Sequence, residues 1–189
     1  VTAIGSNAFQ KNTTVQTVLL SGSITSIGED AFSGCAQLSV ITLPNGLKTL
    51  GRYVFQNCTA LERIELPDSV ETIGYCAFAG CTKLSSINYP LSWREVDDWN
   101  GGDIFKGCPK LTSITVPEGV TKIPDFAFED CNYLQTVELP STLTVIGEYA
   151  FSGCTALNDV EIPEGVTSIG EDAFSGCAQL SVITLPNGL

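Results

Sequence analysis

The chain has 189 residues, 43% of them hydrophobic, with 21 acidic against nine basic side chains and a net charge of -12. That length and apolar content support a sizeable core and exclude intrinsic disorder, and no run approaches the ~18–20 continuous apolar residues of a membrane span. The acidity disfavours nucleic acid and anionic membrane surfaces as partners, because binding there rests on Lys and Arg neutralising phosphates, and it suits basic partners or cations.

Methionine is absent and the chain opens without a basic, apolar leader, so it is expected to be an excised or processed part of a longer protein, with any signal or anchor elsewhere.

A 23-residue period runs from end to end. Residues 1–11 are the back half of a unit. Complete units follow at 12–34, 35–57, 58–80, 81–107, 108–130, 131–153 and 154–176, and a partial one at 177–189; only 81–107 departs, with 27 residues. The consensus is C-x-x-L-x-x-I-x-L-P-x-x-V-x-x-I-G-x-x-A-F-x-G. Such repetition predicts one solenoid domain over 1–189, in which each unit buries its apolar face only against its neighbours.

Each column has a physical reading. Positions seven and nine are apolar while six and eight are mostly polar, the alternation of a short half-buried strand. Proline at position ten has no N–H and ends the ladder. A second apolar patch, "VTSIG" at 166–170, predicts the opposite wall. The "AF" pair turns the chain back, so Phe9, Phe32, Phe55, Phe78, Phe105, Phe128, Phe151 and Phe174 are expected to stack as an internal ladder. Glycines at positions 12, 17 and 23 are expected at corners that need φ > 0.

These units, for instance "CTALERIELPDSVETIGYCAFAG" at 58–80, closely resemble the BspA-like (Treponema pallidum-type) leucine-rich repeats, over essentially the whole chain. The resemblance implies a mainly-β leucine-rich repeat solenoid of right-handed coils, with a parallel sheet on one face and short strands and 3₁₀-like turns on the other. It also implies a bacterial-type cell-surface or secreted protein that acts in adhesion, often to host matrix proteins or other cells. It supplies no catalytic residues.

Seven of the eight cysteines occupy position one: Cys35, Cys58, Cys81, Cys108, Cys131, Cys154 and Cys177. They read as small buried thiols filling a narrow corner, where Asn12 takes the same column. Metal binding would need clustered Cys and His ligands, and the chain has no His. Cys76 stands apart at position 19, either as an exposed thiol or paired with Cys81.

The unit 81–107 breaks the period, and its extra four residues fall within 97–103. Trp93 takes the apolar position 13 and reads as core. Trp99 projects from the insertion, either as a binding hot spot on a lengthened loop or folded back over the disrupted coil. Asp97, Asp98, Asn100 and Asp103 offer oxygen ligands that calcium would take, but their spacing is not that of an EF-hand and the Gly pair is equally good turn chemistry; no metal is expected. Position 19 carries Tyr53, Cys76, Phe126 and Tyr149 around the insertion. Facing outward, they would bracket Trp99 with an aromatic stripe; the alternative is a half-buried position lying over the next coil. The sheet face is a second candidate surface, polar and mildly acidic, with Arg63, Glu65, Asn88, Thr115, Glu138, Asp159 and Glu161.

Residues 25–47 and 167–189 are identical, which points to recombination within a repeat array or to an artificial join. Both ends fall in mid-coil, so the array is expected to extend into further repeats or to self-associate end to end.

With no His and no glycine-rich phosphate loop, the chain lacks the usual general base and nucleotide cradle, and no enzyme activity or cofactor is expected. The sequence points to a protein-binding or adhesion module whose partner is a host or other cell-surface protein. A spacer displaying another domain and a carbohydrate-binding surface built on Trp99 and its aromatic neighbours remain alternatives.

Overall fold

A computed structural model describes residues 1–97 and 102–186. Over them the chain winds as a parallel β-solenoid of about eight coils, about 23 residues per turn, with no helix among the described residues. The strands alternate between two faces. The first face holds β2 (Thr17–Leu19), β4 (Val40–Thr42), β6 (Arg63–Ile64), β8 (Ser86–Ile87), β10 (Ser113–Thr115), β12 (Thr136–Glu138), β14 (Asp159–Glu161) and β16 (Val182–Thr184). The second holds β1 (Ala3–Ile4), β3 (Ser26–Ile27), β5 (Thr49–Leu50), β7 (Thr72–Gly74), β9 (Glu95–Asp97), β11 (Lys122–Ile123), β13 (Val145–Ile146) and β15 (Ser168–Ile169).

Partners in the ladder are one period apart, as in Val18↔Ile41 and Ile27↔Leu50. From Pro44 to Pro163 each proline carbonyl of position ten accepts a hydrogen bond from the amide three residues on, as from Leu47 to Pro44 and Val70 to Pro67, so the strand gives way to a tight turn. The phenylalanines stack from Phe9 to Phe174 at centroid spacings of 5.1–5.9 Å and within 21° of parallel. The ladder crosses the irregular unit through Phe105, and Trp93 is buried as expected.

The position-one thiols lie beside it, all buried except the half-buried Cys177. Cys58, Cys81, Cys108 and Cys154 each donate an Sγ hydrogen bond to a phenylalanine carbonyl of an earlier coil at 3.1–3.2 Å. Asn12 fills the same corner differently, its Oδ1 accepting the amides of Thr14 and Val15. Cys76 corrects the sequence reading: it forms no disulfide with Cys81 and is buried, not exposed. Cys81 is turned inward and donates to the Phe55 carbonyl at 3.1 Å.

The glycine expectation also needs correction. Position 23 does take φ near +70°, at Gly34, Gly80, Gly107, Gly153 and Gly176. Position 17 does not. A Cβ on Gly51 would lie 2.6 Å from the Glu29 nitrogen and the Gly28 carbonyl carbon of the preceding coil, so glycine is there for close approach of two backbones. Among the described residues, Gly119 is the one position-12 glycine with positive φ.

Coils are joined at a third place, where the amides of positions 19, 21 and 23 donate to the next coil; Asp30, Phe32 and Gly34, for example, bond Arg52, Val54 and Gln56. One junction lacks all of this. Between 81–107 and 108–130 neither β8 and β10 nor β9 and β11 are paired, and among the described residues no backbone hydrogen bond joins 103–107 to 125–129. Side chains hold this seam. Tyr89 and Trp93, larger than their counterparts in other coils, pack on each other and on Phe128. Lys106 reaches Asp130 at 3.0 Å, and Glu129 accepts the Gly102 amide at 2.7 Å.

The two identical segments separate sequence from surroundings. Ile41 and Leu43 are each 8% exposed between two coils, whereas their counterparts Ile183 and Leu185, in the last coil described, are 38% and 53% exposed.

Candidate functional site

Of the insertion residues singled out by sequence, Asp98, Trp99 and Asn100 lie outside the described residues. Asp97 closes β9 opposite Gly74. Asp103 is half-buried. Its carboxylate accepts the Tyr75 hydroxyl at 3.2 Å and the Lys106 ammonium at 3.1 Å, and hydrogen bonding to Asp130 and Asp103 pushes the lysine pKa up to about 12. Burial raises the Glu129 pKa against the Gly102 amide, which favours its anion. Among the described residues no group of three or more Cys, Asp or Glu side chains could hold a metal ion.

Position 19 has a property that the sequence reading missed. Its backbone is left-handed in every coil, with φ of 59° at Asn7, 56° at Asp30, 55° at Tyr53, 52° at Cys76, 43° at Asp103, 61° at Phe126, 53° at Tyr149 and 51° at Asp172. Asn and Asp tolerate this region; bulky side chains enter it at a cost of about 1–2 kcal/mol. The Asn and Asp residues of the end coils were the available signal. Tyr53, Phe126 and Tyr149 are half-buried. Tyr53 meets Tyr75 edge-on with centroids 5.4 Å apart, and Phe126 stacks on Tyr149 at 5.3 Å and 7°. They therefore form two separate pairs on one edge, and Phe126 also lines a cavity of about 110 Å³ beside Arg94, Glu95, Val96 and Asp125, where the seam divides β9 from β11.

The larger opening lies on the sheet face. β4 and β6 are neighbours without being hydrogen-bonded, and a groove of about 840 Å³ runs over β4, β6 and β8. Arg63, Glu65 and Asn88 line it, together with Val40, Thr42 and Asp68. Inside it the Asn88 carboxamide accepts the Leu66 amide at 2.7 Å and donates to the Leu66 carbonyl at 2.8 Å. These side-chain bonds stand where main-chain ladder bonds run in other coils. Val40 is 50% exposed at the groove and Leu19, one coil away, 75% exposed, so apolar surface adjoins the charged floor. Thr115, Glu138, Asp159 and Glu161 are exposed further along the same face, outside the groove.

Comparison with known proteins matches the BspA type leucine rich repeat region, in six copies, to residues 1–100 and 101–189. Among solved structures, a leucine-rich repeat protein of T. pallidum is 29% identical with a TM-score of 0.68, covering 95% of this chain and 72% of that one. One from Bacteroides ovatus is 30% identical with a TM-score of 0.74, and the match covers this chain fully and 54% of that one. A leucine-rich cell surface protein of Faecalibacterium prausnitzii is 32% identical with a TM-score of 0.54, again over this whole chain and 58% of the other. The chain thus spans little more than half the length of the last two. No curated protein matches it.

Proposed function

The chain belongs to the BspA-type leucine-rich repeat family, and from that premise we propose that it is a protein-binding module of a cell-surface or secreted protein, working in adhesion. The observation that supports this best is the groove of about 840 Å³ over β4, β6 and β8. It offers exposed apolar side chains beside Arg63 and Glu65, and the strand edges of β4 and β6 are left unjoined. An extended segment of a partner protein suits such a surface: its main chain meets backbone groups and its side chains meet an apolar rim. The likeness to a cell surface protein of F. prausnitzii supports the location.

Beads coated with the protein and washed over decellularised extracellular matrix test this reading. Wild-type beads are expected to adhere. Beads carrying Val40→Asp with Arg63→Glu, both exposed positions, are expected to lose adhesion at least about fivefold while the melting temperature holds. A pure spacer would not adhere at all. Adhesion unchanged in the variant, or no better than albumin-coated beads in the wild type, rejects the proposal.

A further inference from the structure

We propose that the Phe126–Tyr149 stack and its carboxylate border form a second binding surface, separate from the sheet-face groove, for an arginine-rich segment of a partner protein.

The fold does not ask for these rings. The same backbone position, in the same left-handed conformation, is filled by Asn7, Asp30 and Asp172 in other coils. The two rings stack at 5.3 Å, and Phe126 borders the cavity of about 110 Å³ opened by the seam. That volume matches nearly four water molecules at ~30 Å³ each, room for one flat cationic head group. In the preceding coil the equivalent residue is Asp103, so among the described residues no third position-19 ring continues the stack on that side.

The surroundings select the charge. Coil by coil, the Phe126 amide donates to the Glu148 carbonyl and the Tyr149 amide to Glu171, which fixes Asp125, Glu148, Glu171 and Asp172 along the same edge as the rings. Positions 18 and 19 of these three coils carry no Lys or Arg. The nearby cations are engaged: Arg94 pairs with Glu71, and Lys122 with Asp125 at 3.3 Å. A ring face attracts a cation, and a guanidinium stacks on it while its N–H fork meets carboxylates. Arginine therefore fits this strip better than lysine.

Titration of the protein with hexa-arginine amide at low and physiological salt, followed by calorimetry, tests the proposal. The informative variant is Phe126→Asn with Tyr149→Asn, which removes both rings, keeps every charge, and places residues that the same backbone position accepts as Asn7. Far-UV circular dichroism confirms that it folds. Wild-type protein is expected to bind hexa-arginine several-fold more tightly than hexa-lysine, and the double variant to lose about tenfold in hexa-arginine affinity. Equal affinity of wild type and variant, or no binding by the wild type, overturns the proposal. Neither result touches the groove reading, because Val40 and Arg63 stay intact.

Discussion

The carboxamide of Asn88 holds both backbone polar groups of Leu66, one coil away, with its oxygen 2.7 Å from the amide and its nitrogen 2.8 Å from the carbonyl. A side chain extends the β6–β8 pairing beyond the strand ends, and it does so inside the groove. Asn88→Ala removes the partner of two part-buried backbone groups and is expected to cost about 1–3 kcal/mol, the penalty of leaving them unpaired. Urea denaturation measures it. A midpoint equal to wild type would mean that the two bonds hold nothing together.

The seam predicts uneven amide exchange. The amides of Asp103, Phe105 and Gly107 lack the inter-coil bonds that Asp30, Phe32 and Gly34 make. They are expected to exchange at least about tenfold faster than those three counterparts. Matching protection at the two sets would show that the seam closes in solution.

The thiol column predicts alkaline instability. Desolvation is the first cause of the raised pKa of Cys58 and Cys108, each pushed up to about 12 from an ordinary value near 9. A folded pKa above the unfolded one gives stability that is complete below pH 9. It is lost as pH climbs from 9 towards 12, where the unfolded chain releases protons that the folded one retains. Each such thiol contributes about 1.4 kcal/mol per pH unit in that window. Cys58→Ala is expected to flatten the fall of stability between pH 9 and 11 by about that slope, a change readable in urea midpoints. An unaltered slope would count against a buried neutral thiol.

Much of this was legible from columns of residues. Apolar positions seven and nine, the proline after them and the phenylalanine ladder follow from strand alternation and from a missing N–H, which are local properties. Trp93 was placed in the core because the period told which residue it replaced. The misreadings concern what one coil does to the next. Gly51 looks like a turn glycine in one unit; only stacking shows a neighbouring backbone 2.6 Å from where its Cβ would be. One unit alone leaves open whether Tyr53, Phe126 and Tyr149 face outward or lie over the next coil; in the stack they are half-buried, in pairs, on a left-handed backbone. The groove was the hardest to foresee. Its residues obey the consensus, and it arises from a ladder that fails to close between β4 and β6.

Residues 25–47 and 167–189 have one sequence and two environments, and only the environment decides whether Ile41 or its twin Ile183 is sheltered. Each coil is thus a plug for the socket before it and a socket for the plug after it, and outside the seam the fit is much the same along the series. A crossover between the two copies would splice turn to turn in frame, adding or deleting whole turns while every interior contact met a shape that it already fits. Reach can then change in evolution without redesign of the interior, whereas the seam, the groove and the Phe126–Tyr149 stack, each found once among the described residues, would be kept or lost as wholes.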